Sequence, residues 1–188
     1  MELTITIPTM NSTKTLSLVL NSLVIQRINI DFKVLIFDNG STDGTVEMVN
    51  AIIKNNYYKM DIRLIETTER SGGRTFNIPF MRYKICQEVD TEYLFFLDSD
   101  VILPPNAVLD LLESFKKRND LGMLSIRYEP NADHVQMGAT LWKTEIAKKI
   151  KWIIDENCEC KNAIKSLLEL GLKAEYHNTL QARHLRYL

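Results

Sequence analysis

The chain has 188 residues, 45% of them hydrophobic and 25% charged, with a formal net charge of −1. That length can bury one substantial core, and the near-neutral balance removes any bulk electrostatic case for a nucleic-acid partner. No apolar run approaches the ~20 residues of a membrane span, and MELTITIP lacks the basic and apolar regions of a signal peptide. A cytoplasmic protein is expected, free or peripheral to a membrane surface.

Leu3 to Ile7 alternates apolar residues with Thr and predicts a strand that Pro8 ends. Asn11 or Ser12 is the predicted cap of a helix carrying Leu16, Val19, Leu20 and Leu23 on one face. Phe32 to Phe37 predicts a second strand, running into the turn residues Asp38-Asn39-Gly40-Ser41. Asp43 suits the N-cap of a helix whose stripe is Val46, Val49, Ile52 and Ile53. Ile62 to Ile65 is a short strand, Thr67 to Gly73 a polar loop, and Thr75 to Glu88 a helix despite Pro79.

Tyr93 to Leu97 is apolar at every position, the pattern of a strand buried on both faces. Pro105 fits the first turn of a helix with the stripe Val108, Leu111, Leu112 and Phe115. Leu121 to Ile126 predicts a strand. Met137 to Trp142 is either a strand or the approach to a helix over Thr144 to Ile150. Asn162 to Leu170 is a helix closed by Gly171, and Lys173 to Tyr176 a short strand that turns at His177-Asn178. The alternation of strand and helix from Leu3 to Phe115 predicts an α/β domain with a mainly parallel central sheet flanked by helices.

Two clusters carry chemistry. Asp98-Ser99-Asp100 ends the apolar strand YLFFL. Carboxylates are costly to bury unpaired, so both belong at the strand's C-terminal edge, where acids one residue apart can converge on Mn2+ or Mg2+. Asp38 to Thr45 (DNGSTDGT) joins a strand end to a helix N-terminus, where free N–H groups suit an anionic ligand. A capped turn explains Gly40, Ser41 and Asp43 without a ligand, but leaves Asp38 unaccounted for. No G-x-G-x-x-G and no G-x-x-x-x-G-K-[ST] occurs, which removes the dinucleotide-dehydrogenase and P-loop readings.

Cys86, Cys158 and Cys160 make a poor disulfide framework, and reduced thiols are expected. A zinc site from Cys158, Cys160 and a histidine is the minor reading, because C-x-C departs from the C-x-x-C of structural zinc sites. His134 is expected at the surface.

The chain resembles the family 2 glycosyltransferases, whose fold is called GT-A. The resemblance rests on TITIPTMNSTKTLSLVLNSL, VLIFDNGSTDGT, ERSGGRTFNIPF, YLFFLDSDVILPPNAV and MGATLWKTEIAKKI. It implies a single domain over 1–188, with a nucleotide-sugar-binding part (1–104) and an acceptor-side part (105–188). It further implies a nucleotide-diphosphate sugar donor, a Mn2+ or Mg2+ ion, inversion at the anomeric carbon, and an acceptor hydroxyl on a glycan, lipid or protein.

Carried over, Pro8 and Thr9 line the base and ribose pocket, and Asp38 accepts from the nucleobase. Arg70 or Arg74 approaches the diphosphate. Asp98 faces the ribose or the metal's water shell, and Asp100 ligates the metal. His184, thirteen residues after Gly171, stands where many members place a metal-ligating histidine. The family's Glu-Asp pair, one of whose acids is the general base, falls on Glu159-Cys160, so the second acid is a cysteine here. The candidate bases are Glu159, then Glu156, with Asp155 nearby. Three rival readings are a scaffold protein with no ligand, which would not need Asp38, Asp98 and Asp100 together at strand ends, a degenerate protein that binds nucleotide sugar without turnover, and a sugar-1-phosphate nucleotidyltransferase. The last would need a glycine-rich loop with Arg and Lys that TMNSTKTL does not supply.

Overall fold

The structure is a computed structural model that describes residues 2–26, 31–68, 77–152 and 158–185. The elements run β1 (Leu3–Thr9), α1 (Leu16–Val24), β2 (Phe32–Asp38), α2 (Thr45–Lys54), β3 (Asp61–Glu66), α3 (Ile78–Glu88), β4 (Tyr93–Leu97), β5 (Val101–Ile102), α4 (Ala107–Lys116), β6 (Leu121–Arg127), β7 (Ala139–Lys143), α5 (Thr144–Ala147), α6 (Glu159–Glu169), β8 (Lys173–Gln181) and β9 (Arg183–His184). Seven strands form one sheet in the order β3-β2-β1-β4-β7-β6-β8, and β5 pairs with β9 in a second, two-stranded sheet. The pairs β3–β2, β2–β1, β1–β4 and β6–β8 are parallel, whereas β7 runs antiparallel to both β4 and β6.

Alternation along β4 divides the core. Tyr93, Phe95 and Leu97 face a cluster that includes Leu16, Val19 and Leu20 of α1, Val49 of α2 and Leu111 of α4. Leu94 and Phe96 face Met81 and Ile85 of α3, Ala147 of α5 and Leu167 of α6. Helices thus cover both faces, as an apolar, two-sided strand requires. Each fully buried Leu, Ile or Phe contributes roughly 1.5–3 kcal/mol.

Several predicted boundaries shift, each for a local reason. Strand β1 continues through Pro8, which pairs with Phe37. The Thr9 carbonyl accepts from Asn39 N–H at 3.0 Å, so the backbone of Pro8 faces the other way, toward β4. The β4 ladder has already ended at Thr6↔Phe96, and the missing N–H costs no bond there. Neither Asn11 nor Ser12 caps α1. Its N-cap is Thr15, while the Asn11 carboxamide oxygen accepts from Thr42 N–H (2.8 Å) and Ser12 N–H donates to Thr45 Oγ1 (2.8 Å). The N-cap of α2 is Gly44 at φ +92°, and Asp43 reaches past it to Thr45 N–H at 3.0 Å.

Helix α3 begins at Ile78 with Asn77 as cap, so Pro79 falls in the first turn, where no N–H is missed. Helix α6 starts earlier than predicted, at Glu159, and ends in a Schellman arrangement around Gly171 at φ +74°, with Leu172 N–H on Leu167 O and Gly171 N–H on Leu168 O. Strand β8 does not turn at His177-Asn178. Its ladder steps from Ser125↔Tyr176 to Arg127↔Gln181, and the irregularity absorbs those residues.

Candidate active site

The candidate site lies where β1, β2 and β4 end. Asp98 directly follows β4, and its N–H donates to the Gly138 carbonyl (2.8 Å) just ahead of β7. Gly138 N–H in turn donates to the Tyr128 hydroxyl (3.0 Å). A Cβ at Gly138 would lie 2.5 Å from that hydroxyl and 2.6 Å from Asp98 Oδ2, so only glycine fits.

Asp100 sits in the turn into β5. The two-residue β5–β9 ladder sets Val101 against His184, and Leu185 N–H donates to the Asp100 carbonyl at 2.8 Å. The imidazole Nε2 of His184 consequently lies 3.1 Å from Asp100 Oδ2, across 84 positions of chain. Neighbouring ligands of one octahedral ion at ~2.1 Å stand about 3 Å apart, so these two atoms have the spacing of adjacent donors to a single cation. The His184 Nδ1 is buried without a hydrogen-bond partner among the described residues. Burial pushes the Asp100 carboxyl up from its ordinary value, His184 pulls it back, and the nearby Asp98 pushes it further up. A bound cation would reverse that balance. Oxygen and imidazole donors together fit Mn2+ better than Mg2+.

Asp98 itself turns toward a residue that sequence reasoning missed. Arg82 of α3 is fully buried, and its Nη2 donates to Asp98 Oδ1 (3.0 Å) and to Glu159 Oε1 (3.1 Å), with Nε also on Glu159 Oε1 (3.3 Å). The guanidinium carbon stands 4.8 Å from the centre of the Phe96 ring. The signal was available: Arg82 shares its helix face with buried Met81, Ile85 and Cys86, where a charge needs a partner. Burial raises the Glu159 carboxyl, Arg82 opposes the rise, and Asp98 adds to it. Glu159 Oε2 and Arg82 Nη1 are buried and unpartnered among the described residues, so this bridge keeps one acceptor and one donor for a ligand or water.

Thr9 Oγ1 is likewise buried without a partner at the end of β1, beside buried Pro8. Asp38 is more occupied than expected. Its Oδ1 accepts from Gly40 N–H and Ser41 N–H, both at 2.9 Å, and its Oδ2 from the Ser41 hydroxyl. The turn therefore does account for Asp38. The loops after β1 and β2 are tied together by Asn11 N–H on Ser41 Oγ (2.8 Å), and Ser12 Oγ reaches Ser99 Oγ between the two acids (3.0 Å).

The structure thus brings Asp98, Asp100, Glu159 and His184 to one sheet edge. It does not draw Asp98, Asp100 and His184 into a tight triad, because Arg82 holds Asp98. Arg70, Arg74, Asp155 and Glu156 lie outside the described residues. A cleft of about 420 Å3 borders His184, between Ile102, Pro104, Glu129, Gln181 and Arg183. It includes neither Asp98 nor Asp100, so it adjoins the carboxylate site.

Known proteins share this fold. The chain is 33% identical over 120 residues to a teichoic acid poly(glycerol phosphate) polymerase of Staphylococcus epidermidis, covering 64% of this chain and 16% of that one. Among solved structures, a mannosyltransferase from Pyrobaculum calidifontis in complex with GDP-Man and Mn2+ superposes with a TM-score of 0.80 at 17% identity, over 98% of this chain and 56% of that one. S. aureus TarS with UDP-GlcNAc gives 0.72 at 18% identity, over 100% and 59%. Glucosyl-3-phosphoglycerate synthase from Mycobacterium tuberculosis with Mn2+, UDP and phosphoglyceric acid also gives 0.72, at 15% identity, over 100% and 72%. This chain spans only part of each relative's length. Those likenesses establish the GT-A architecture, and a match to the glycosyl transferase family 2 model over residues 4–168 establishes the family to which this chain belongs.

Proposed function

We propose that the chain is the transfer domain of a metal-dependent, inverting glycosyltransferase that moves a sugar from a nucleotide-diphosphate donor to an acceptor hydroxyl. One observation carries this reading: the β5–β9 ladder sets His184 on Asp100, beside Asp98, at the C-terminal end of β4. Open α/β sheets bind ligands at that edge. Residues 1–104 take the donor and 105–188 face the acceptor.

Asp100 and His184 would hold the cation, and Asp98 would face its water shell or the ribose. The cation, when bound, neutralises charge on the departing diphosphate. Thr9, whose buried hydroxyl has no partner among the described residues, and Pro8 line the ribose and base side. Asp38 shapes the β2–α2 turn and keeps lone-pair capacity for the nucleobase. Arg70 and Arg74 belong, in this reading, to the diphosphate side. Glu159 takes the proton of the acceptor hydroxyl as that oxygen attacks the anomeric carbon in one displacement. Burial raises its carboxyl from the ordinary value, as suits a group that takes up a proton, and the Arg82 guanidinium opposes that rise.

Donors seen with the solved relatives (GDP-Man and UDP-GlcNAc) define the first panel to assay. The poly(glycerol phosphate) polymerase and the phosphoglyceric acid complex make a hydroxyl on a phosphorylated polyol the first acceptor class to try.

A second reading, nucleotide-sugar binding without turnover, is favoured by Cys160 in place of the family's second acid and by the engagement of Glu159 with Arg82. Product formation separates the two. For the binding step, calorimetry with nucleoside diphosphate and Mn2+ compares the parent with Asp100→Asn. Loss of metal-dependent binding supports the site, and unchanged affinity overturns it.

A further inference from the structure

The C-x-C that the spacing argument set aside meets a histidine from another element. Cys158 is the N-cap of α6 and Cys160 lies in its first turn. His134 comes from the segment between β6 and β7, and its Nε2 lies 3.2 Å from Cys158 Sγ. The donor atoms of His134, Cys158 and Cys160 all fall within 4.8 Å of one another. Among the described residues this is the one group of three or more His, Cys, Asp or Glu donors so closely gathered. His134 is not the free surface residue the sequence predicts, since only 17% of its side chain is exposed.

We propose that His134, Cys158 and Cys160 form a site for a thiophilic divalent cation, zinc in kind, separate from the carboxylate site at Asp100.

Donor chemistry carries the first part of the argument. Two sulfurs and one imidazole nitrogen select Zn2+ over the oxygen-preferring Mn2+ and Mg2+. In a tetrahedral zinc site with Zn–S near 2.3 Å and Zn–N near 2.1 Å, donors stand roughly 3.5–3.8 Å apart. The observed 3.2 Å and the 4.8 Å upper bound bracket that spacing, so side-chain adjustments of about 1 Å complete it.

The surroundings carry the second part. Asp133 Oδ1 lies 2.5 Å from His134 Nδ1, which fixes the ring with Nε2 toward the thiols. A carboxylate behind the imidazole is the usual support of a metal-bound histidine. Lys161 holds the other Asp133 oxygen at 3.0 Å. Three protein donors leave a fourth position for water.

The consequence concerns Glu159, which sits between the two cysteines. A cation here ties the start of α6 to the segment that leads on to Gly138 and Asp98, and so fixes the distance between the two acids that share Arg82. The role is positional.

The test is a metal titration of the full chain after chelation and reduction. Co2+, as a spectroscopic stand-in for Zn2+, should bind one per chain with thiolate-to-cobalt charge-transfer absorption, and Zn2+ should displace it. Cys158→Ser, at an exposed position, and His134→Ala, at a half-buried one, should abolish the absorption. Asp133→Asn should weaken Zn2+ binding about 10- to 100-fold. Asp100→Asn and Cys86→Ser should leave the spectrum intact, which separates this site from the carboxylate site. The proposal is overturned if the reduced chain shows no stoichiometric Co2+ absorption, or if Cys158→Ser and His134→Ala bind as the parent does.

Discussion

Asp98 and Glu159 share one guanidinium: Nη2 of Arg82 lies 3.0 Å from Asp98 Oδ1 and 3.1 Å from Glu159 Oε1. The arginine is fully buried, whereas the two acid side chains keep 29% and 18% of their surface exposed at the sheet edge. The basic partner is therefore the fixed point, and the acids are the more open ends of the bridge.

Replacing Arg82 by Met should cost about 3–5 kcal/mol, because two partly buried carboxylates lose the counter-charge they share. Urea unfolding of the parent and Arg82→Met measures it. A loss under about 1 kcal/mol, the range of an exposed pair, would show that the bridge is solvated.

Glu159→Gln should lower turnover by roughly 10²–10⁴ and leave donor affinity unchanged. Steady-state rates with calorimetry of the donor decide this. If turnover falls only in Glu156→Gln, the base lies three residues upstream; if it falls in neither, the non-catalytic reading gains.

His184→Ala should weaken Mn2+-dependent nucleotide binding and loosen the strand that carries it. The β5–β9 ladder has two residue pairs, so it opens more readily than the central sheet. Amide exchange at residues 181–185 should slow when Mn2+ and nucleoside diphosphate are added together. Equal protection with and without them would return His184 to a structural role.

Asp43 sets a pH dependence. Burial alone would raise its pKa, but hydrogen bonds from Thr45 and Thr13 hold it at about 2, against an ordinary 3.8. A depressed carboxylate contributes stability above its unfolded value and loses it as pH falls through the folded one. The parent should lose stability relative to Asp43→Ala between about pH 4 and pH 2. Parallel melting curves for the two proteins across that window would contradict the assignment.

Much of this was readable from residues alone. YLFFL announced β4 to the residue, since an uninterrupted apolar run bounded by polar turns has few other fates. The acids after it had to lie at the edge for the same reason. The Gly171 cap was readable, but the N-caps of α1 and α2 were not, because Asn11, Ser12 and Asp43 each have several backbone and side-chain partners in reach, and tertiary contacts between the two loops chose among them. The apolar face of α3 signals that Arg82 is buried, but its partners lie 16 and 77 positions away, where no local pattern identifies them. The meeting of His134 with Cys158 is hidden in the same way, at 24 positions.

Gly138 carries a consequence of its own. Its carbonyl orients the Asp98 backbone, its N–H holds Tyr128, and its missing side chain leaves room for a carboxylate oxygen. A library of all substitutions, selected for function, should therefore recover position 138 almost solely as glycine. Position 40, also glycine, has open space around its Cβ direction and a φ of +80°, so asparagine should survive there. The contrast separates two kinds of intolerance: one set by backbone shape, which a second residue type can satisfy, and one set by crowding from neighbouring side chains, which none can.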